Sequence, residues 1–140
     1  MESKLYYLAV PYHGSEEEKK YRTEISLKAA AEFLRQGIHL FAPVIYVNKI
    51  AEELELTSLK KRRKMVMPYL LDFLKVSKGL ILIDVAGWQD SWGIQQELKF
   101  CCETQVPVYK VNPEMIYGNL PQLLSAPLNQ KQVAELMKTR

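Results

Sequence analysis

Between Gly87 and Glu97 lie residues whose types and spacing are those that chemistry uses: Gly87, Trp88, Ser91 and Gly93, then Glu97 one helical turn further on. Gly93 and Glu97 are four apart, so on a helix they share a face, and a helical side chain leans back over the preceding turn. Glu97 then points across a residue with no side chain. A glycine inside a helix costs about 1 kcal/mol relative to alanine, and here it leaves a gap beside a carboxylate where a small molecule can sit. The same spacing also fits a solvated helix carboxylate beside a close-packing glycine. Spacing alone leaves both readings open.

The elements that must hold these residues can be read on either side. Gly79 to Val85 is aliphatic without alternation, as expected of a parallel strand buried on both faces. Packing gives Asp84, near its end, no reason to be there. Ala86 to Gln89 reads as a turn, and Asp90 or Ser91 can cap the helix that carries Glu97. The gap at Gly93 then falls at the C-terminal end of a central parallel strand, where open α/β sheets bind ligands.

Upstream, Lys4 to Val10 has strand propensity and stops at Pro11. Ser15 can cap a helix whose first turn holds Glu16, Glu17 and Glu18, a favourable placement at the positive helix end. Three carboxylates there also exclude a phosphate bound as in dinucleotide or P-loop proteins, whose glycine-rich fingerprints are absent. Glu16 to Gln36 carries Ile25, Ala29, Phe33 and Leu27, Ala30, Leu34 at helical spacing, with Gly37 as its stop. Arg22 either reaches over the sheet toward an anionic ligand or is solvated. Tyr12 either stacks on a base or lines the core edge, and His13 reads as a surface loop residue.

Ile38 to Val44 predicts a second strand ending at Pro43, so that β-α-β connectivity implies a parallel pair. His39 reads as a packed histidine there. Ile45 to Glu55 reads as a loop and a short helix from Lys49 to Leu56 capped by Asn48, the usual place for a lid. The run Lys60-Lys61-Arg62-Arg63-Lys64 has no interleaved aromatics, so it reads as a solvated face or a partner contact rather than a single-strand platform. Met65 to Val76 predicts a helix, Gln105 to Val111 an alternating strand nearer an edge, and Gln130 to Lys138 a short helix.

The 140 residues, 48% hydrophobic and 25% charged, describe one domain, 1–140, long enough for a sizeable core. A net charge of +3 is too mild to argue for nucleic acid but does not repel anionic small molecules. Cys101 and Cys102 are adjacent on a predicted helix and cannot easily pair. A reducing, cytoplasmic setting is expected. No apolar run approaches the roughly 20 residues that span a bilayer, so no membrane partner is expected. His13, His39 and the cysteines lack the spacing of metal ligands. Neither a metal nor an organic cofactor is expected.

Tyr7-Leu8-Ala9-Val10-Pro11-Tyr12 before an arginine-bearing helix, Phe41-Ala42-Pro43-Val44, and Gly87-Trp88-x-x-Ser91-x-Gly93-x-x-x-Glu97 together resemble the nucleoside 2-deoxyribosyltransferase superfamily. The likeness covers roughly residues 5 to 112 and is nearest to a small uncharacterised bacterial and phage branch related to the 2′-deoxynucleoside 5′-phosphate N-hydrolases. It implies cleavage or transfer at an N-glycosidic bond, with Glu97 as the nucleophile on the anomeric carbon. It further implies that Ser91 contacts a 5′-hydroxyl or 5′-phosphate with Gly93 giving room, that Gly87 belongs to the substrate site, that Tyr12 flanks base or sugar, and that Trp88 is a wall. A homodimer in which each subunit completes the other's pocket is also implied. Relatives carry an aspartate on the helix before the central strand where this chain has Leu70, and an acidic residue where it has Lys78. Asp72 is a candidate substrate contact, but two residues turn a helix by about 200°, so it substitutes only if the helix register shifts.

The expected architecture is an α/β three-layer sandwich, Rossmann- or flavodoxin-like, with a mostly parallel sheet of four or five strands. The function expected is that of a nucleoside or nucleotide N-glycosidase or deoxyribosyltransferase. The alternatives are a nucleotide-binding module without chemistry, and an interaction protein working through Lys60 to Lys64.

Overall fold

The computed structural model describes residues 4–137. Its sheet has four strands, β1 (Leu5–Ala9), β2 (His39–Phe41), β3 (Leu80–Ile83) and β4 (Val108–Val111), in the order β2-β1-β3-β4. All three pairings are parallel, with Tyr7 opposite both Phe41 and Leu80, and Leu80 opposite Val108. The helices are α1 (Glu16–Arg35), α2 (Pro43–Glu53), α3 (Leu59–Lys75), α4 (Trp92–Thr104), α5 (Leu120–Leu123) and α6 (Gln130–Leu136).

Successive side chains on a strand point to opposite faces, and both faces here are covered. Tyr6, Leu8, Ile81 and Ile83 pack with Ile25, Ala29 and Phe33 of α1 and with Ile116 and Leu120. Tyr7, Ala9, Leu80 and Leu82 pack on the other side with Leu70 and Leu74 of α3, Ile94 and Leu98 of α4, and Val133 of α6. This gives the three-layer α/β sandwich expected from the sequence, and it explains why the central strand β3 reads as an unbroken apolar run. Along β1 and β3, helices that follow the two strands lie on opposite faces. The order therefore switches direction between them, and a crevice opens at their C-terminal ends.

Several local expectations are corrected. Pro43 does not end a strand; it opens α2 at a position where its missing N–H costs nothing. β2 is accordingly only three residues long, and α2 runs without interruption through Asn48, which is no cap. His39 is exposed, on an edge strand, rather than packed. On α1 only the Ile25, Ala29, Phe33 stripe reaches the core, while Leu27 and Leu34 are exposed at 51% and 64%. Helix α3 begins at Leu59, capped by Ser58, and so takes in the basic run. Gln105 is the left-handed C-cap of α4, and β4 starts only at Val108, on the sheet edge. Lys138, at the expected end of the last helix, lies outside the described residues.

Among the described residues no helix is long and apolar enough to cross a membrane.

Candidate functional site

A cleft of about 580 Å³ opens above the C-terminal ends of β1 and β3, bounded by the loop after β1 and by α2, α3 and the start of α4. That size suits a small-molecule ligand. Its floor is Glu97, buried with 5% exposure on α4, and its Oε2 accepts a hydrogen bond from the Tyr7 hydroxyl on β1. Burial pushes the Glu97 carboxyl up to about 8, with the Tyr7 hydrogen bond acting in the opposite direction. Burial, and then the neighbouring carboxylate, hold the Tyr7 phenol well above its ordinary value, so Tyr7 stays a donor. The pair places an acid whose charge is adjustable near neutral pH against a fixed donor.

The helix that carries Glu97 starts as the sequence predicts. Ser91, in extended conformation, caps it by accepting from the Ile94 amide at 3.3 Å. Gly93 faces the cleft, and a Cβ built there would lie 3.8 Å from Met67 Cε and 3.9 Å from Ser91 Oγ, an ordinary contact distance. The gap beside the carboxylate is real, and it is not forced by crowding.

Gly87 adopts φ +90°, a left-handed conformation, and a Cβ on it would approach Arg22 Nη2 to 2.9 Å. Two constraints therefore require glycine there. Asp84 also acquires a reason: its Oδ1 accepts from the Trp88 indole N–H at 2.9 Å, which pins the turn.

Arg22 is not solvated: it lines the cleft, with its guanidinium tied to protein oxygens. At 4% exposure it donates to His13 O at 2.7 Å, Tyr12 O at 3.5 Å and Ala86 O at 2.8 Å, and to the Glu18 carboxylate at 3.3 Å. Its fork ties the loop after β1 to the loop after β3. Tyr12, half-buried, lines the cleft as expected, with Lys19 Nζ 5.4 Å from its ring centre.

Two expected contacts are not on the cleft. Trp88, expected as a wall, is buried in the core at 3% exposure with its N–H spent on Asp84; Trp92 lines the cleft instead. Asp72 is exposed on α3, whereas Leu70, two residues before it and about 200° around the helix, is buried at the cleft. The register shift that Asp72 required has not occurred.

Sequence reasoning missed Tyr7, Asn48, Arg62 and Arg63. Tyr7 sits in an apolar strand and meets a partner 90 residues away, a pairing without local signal. The two arginines lay inside a run that reads as a solvated face, yet both line the cleft, while Lys60, Lys61 and Lys64 point to solvent. Arg62 donates to Asn48 Oδ1, and the Arg63 guanidinium lies 4.6 Å from the Trp92 ring centre. Across the cleft, His13 has its pKa lowered, first by burial and then by Arg62, Lys19 and Arg63. No three His, Cys, Asp or Glu side chains among the described residues come together as a metal-ligand set.

Fold and site together define an α/β sandwich with a ligand cleft at its topological switch point and a buried carboxyl on the cleft floor. Residues 4–112 match the family described as a domain of unknown function (DUF1937), and the chain belongs to that family. No curated protein matches the chain. The matched segment holds every strand and every cleft residue discussed above.

Proposed function

We propose that the protein cleaves or transfers at the N-glycosidic bond of a nucleoside or nucleoside 5′-monophosphate, with Glu97 as nucleophile. The observation that carries the reading is the buried Glu97 carboxyl at the base of a nucleotide-sized cleft, accepting a hydrogen bond from Tyr7. In the reaction a Glu97 oxygen bonds to the anomeric carbon while the C–N bond breaks and its electron pair leaves with the base. Water or a second base then displaces the carboxylate. The transition state carries oxocarbenium character, which a carboxylate in a low-dielectric site stabilises strongly. The resemblance to the nucleoside 2-deoxyribosyltransferase superfamily supports the same assignment, with Ser91, Gly93 and Tyr12 on the substrate. It also supports a homodimer, which sedimentation velocity would detect; Tyr46, Leu54, Leu59 and Met65 leave apolar surface exposed on and beside α2 and α3.

Free-base release from a panel of nucleosides and 5′-monophosphates, deoxy and ribo, tests this directly. Wild type should release base from at least one member, and Glu97→Gln should reduce that rate on the order of a thousandfold or more, as expected when a covalent nucleophile is lost. Equal rates in the two proteins would remove Glu97 from the mechanism. A second reading, a binding module without turnover, is favoured by Leu70, which puts an aliphatic side chain where the resemblance implies an acid that orients the nucleoside or protonates the leaving base. It predicts ligand-dependent thermal stabilisation with no base released.

A further inference from the structure

Arg62 and Arg63 differ from the other basic residues of their run in being committed to the cleft. Asn48 is buried, and its amide N–H is spent on Val44 O at 2.8 Å, so its side-chain oxygen is left to hold Arg62 in place. A guanidinium has five donors, and that bond uses one. Arg63 is held against the Trp92 indole, and a guanidinium stacked on an aromatic face keeps its in-plane N–H groups for another partner.

Neither arginine has a carboxylate within 4.0 Å among the described residues, unlike Arg22 and Arg35. Glu18 and Asp90 line the same cleft, but Glu18 is engaged by Arg22 and neither carboxylate lies within 4.0 Å of Arg62 or Arg63, so the two positive charges on the α3 wall favour an anionic ligand there. His13, which also lines the cleft, has its pKa lowered first by burial and only then by the charges of Arg62, Lys19 and Arg63.

We infer that Arg62 and Arg63 are the specificity determinants of the cleft and select a substrate bearing a phosphate monoester over its unphosphorylated nucleoside. Paired planar donors suit the geometry of phosphate oxygens. The identity of the rest of the substrate rests on the N-glycosidase reading; the anion selectivity rests on the two arginines.

The test measures kcat/KM for base release from a nucleoside and from its 5′-monophosphate, in wild type and in Arg62→Gln/Arg63→Gln. It is paired with calorimetric binding of both ligands to Glu97→Gln. Wild type should prefer the monophosphate by roughly 10- to 100-fold, the range for charge-assisted contacts, and the double variant should lose that preference. If the double variant fails to fold, two other measurements decide. Arg63→Gln alone should cut the preference, and raising salt should weaken monophosphate binding to wild type while leaving nucleoside binding flat. Equal handling of the two ligands, with base still released, overturns the arginine inference and leaves the glycosidase reading standing. Tight monophosphate binding through the arginines with no base released from any ligand does the reverse.

Discussion

The floor and the α3 wall of the cleft are built on opposite physics. At the floor, Tyr7 and Glu97 are buried, joined to each other, and held by a strand and a helix of the core. There, loss of water sets the protonation state. At the wall, Arg62 and Arg63 are only partly buried, and their guanidinium groups line the cleft with no carboxylate against them among the described residues. The floor is thus suited to chemistry that depends on one carboxyl, and the wall to recognition that depends on net charge. The Glu97→Gln and Arg62→Gln/Arg63→Gln variants separate these two roles.

The pH dependence sharpens the contrast. With burial pushing its carboxyl up to about 8, Glu97 is largely protonated at neutral pH, whereas the proposed reaction needs the ionised form as nucleophile. Base release should therefore rise about tenfold between pH 7 and pH 9 and then level. Tyr7→Phe removes the donor to the carboxylate and should move the midpoint upward. A profile flat across this range would show that the ionisation of Glu97 does not limit turnover.

Stability should run the other way. The folded-state pKa is raised above the ordinary 4.5, so the folded protein holds a proton that the unfolded chain releases. That contribution is fully present below about pH 4.5 and is lost as pH rises through about 8. Glu97→Gln should then gain on wild type over this window by roughly 3–5 kcal/mol and by no more above it. Chemical denaturation at a series of pH values measures the difference.

Arg22 shows a second use of an arginine beside the same cleft. Its charge is turned inward, onto the carbonyls of Tyr12, His13 and Ala86. Arg22→Met would leave those carbonyls without their donor and release both loops, at an expected cost of roughly 2–4 kcal/mol. The double Arg62/Arg63 variant should cost less, because these side chains make few internal bonds. Urea unfolding of the two proteins compares them; equal losses would mean that the α3 arginines are structural as well.

What the sequence made legible follows from where each signal is local. Glu97, Ser91 and Gly93 stand out because they interrupt apolar surroundings within two helical turns, and the central strands β1 and β3 stand out because both their faces are buried. Pro43 is ambiguous by nature, since proline both stops strands and starts helices. Leu27 and Leu34 have helical spacing but sit on the wrong side of α1, which periodicity cannot decide when two stripes are offered. The split of Lys60 to Lys64 into cleft-facing and solvent-facing members depends on where α3 begins, and a charged run carries no apolar stripe to fix that. The Tyr7–Glu97 bond depends on tertiary register alone.

The smallest effect expected is the most specific to the gap beside the carboxylate. At Gly93 a methyl group meets nothing closer than 3.8 Å, and the backbone needs no left-handed conformation. Gly93→Ala should therefore fold normally and gain up to about 1 kcal/mol from helix propensity, less near the helix start where the residue sits. If the glycine served packing alone, that gain would come without functional loss. If it keeps space for a substrate against Glu97, the added methyl should raise KM or lower kcat/KM by roughly tenfold, about 1.4 kcal/mol, while the melting temperature rises. Stability and turnover moving in opposite directions would assign Gly93 to the ligand; an unchanged KM would return it to packing.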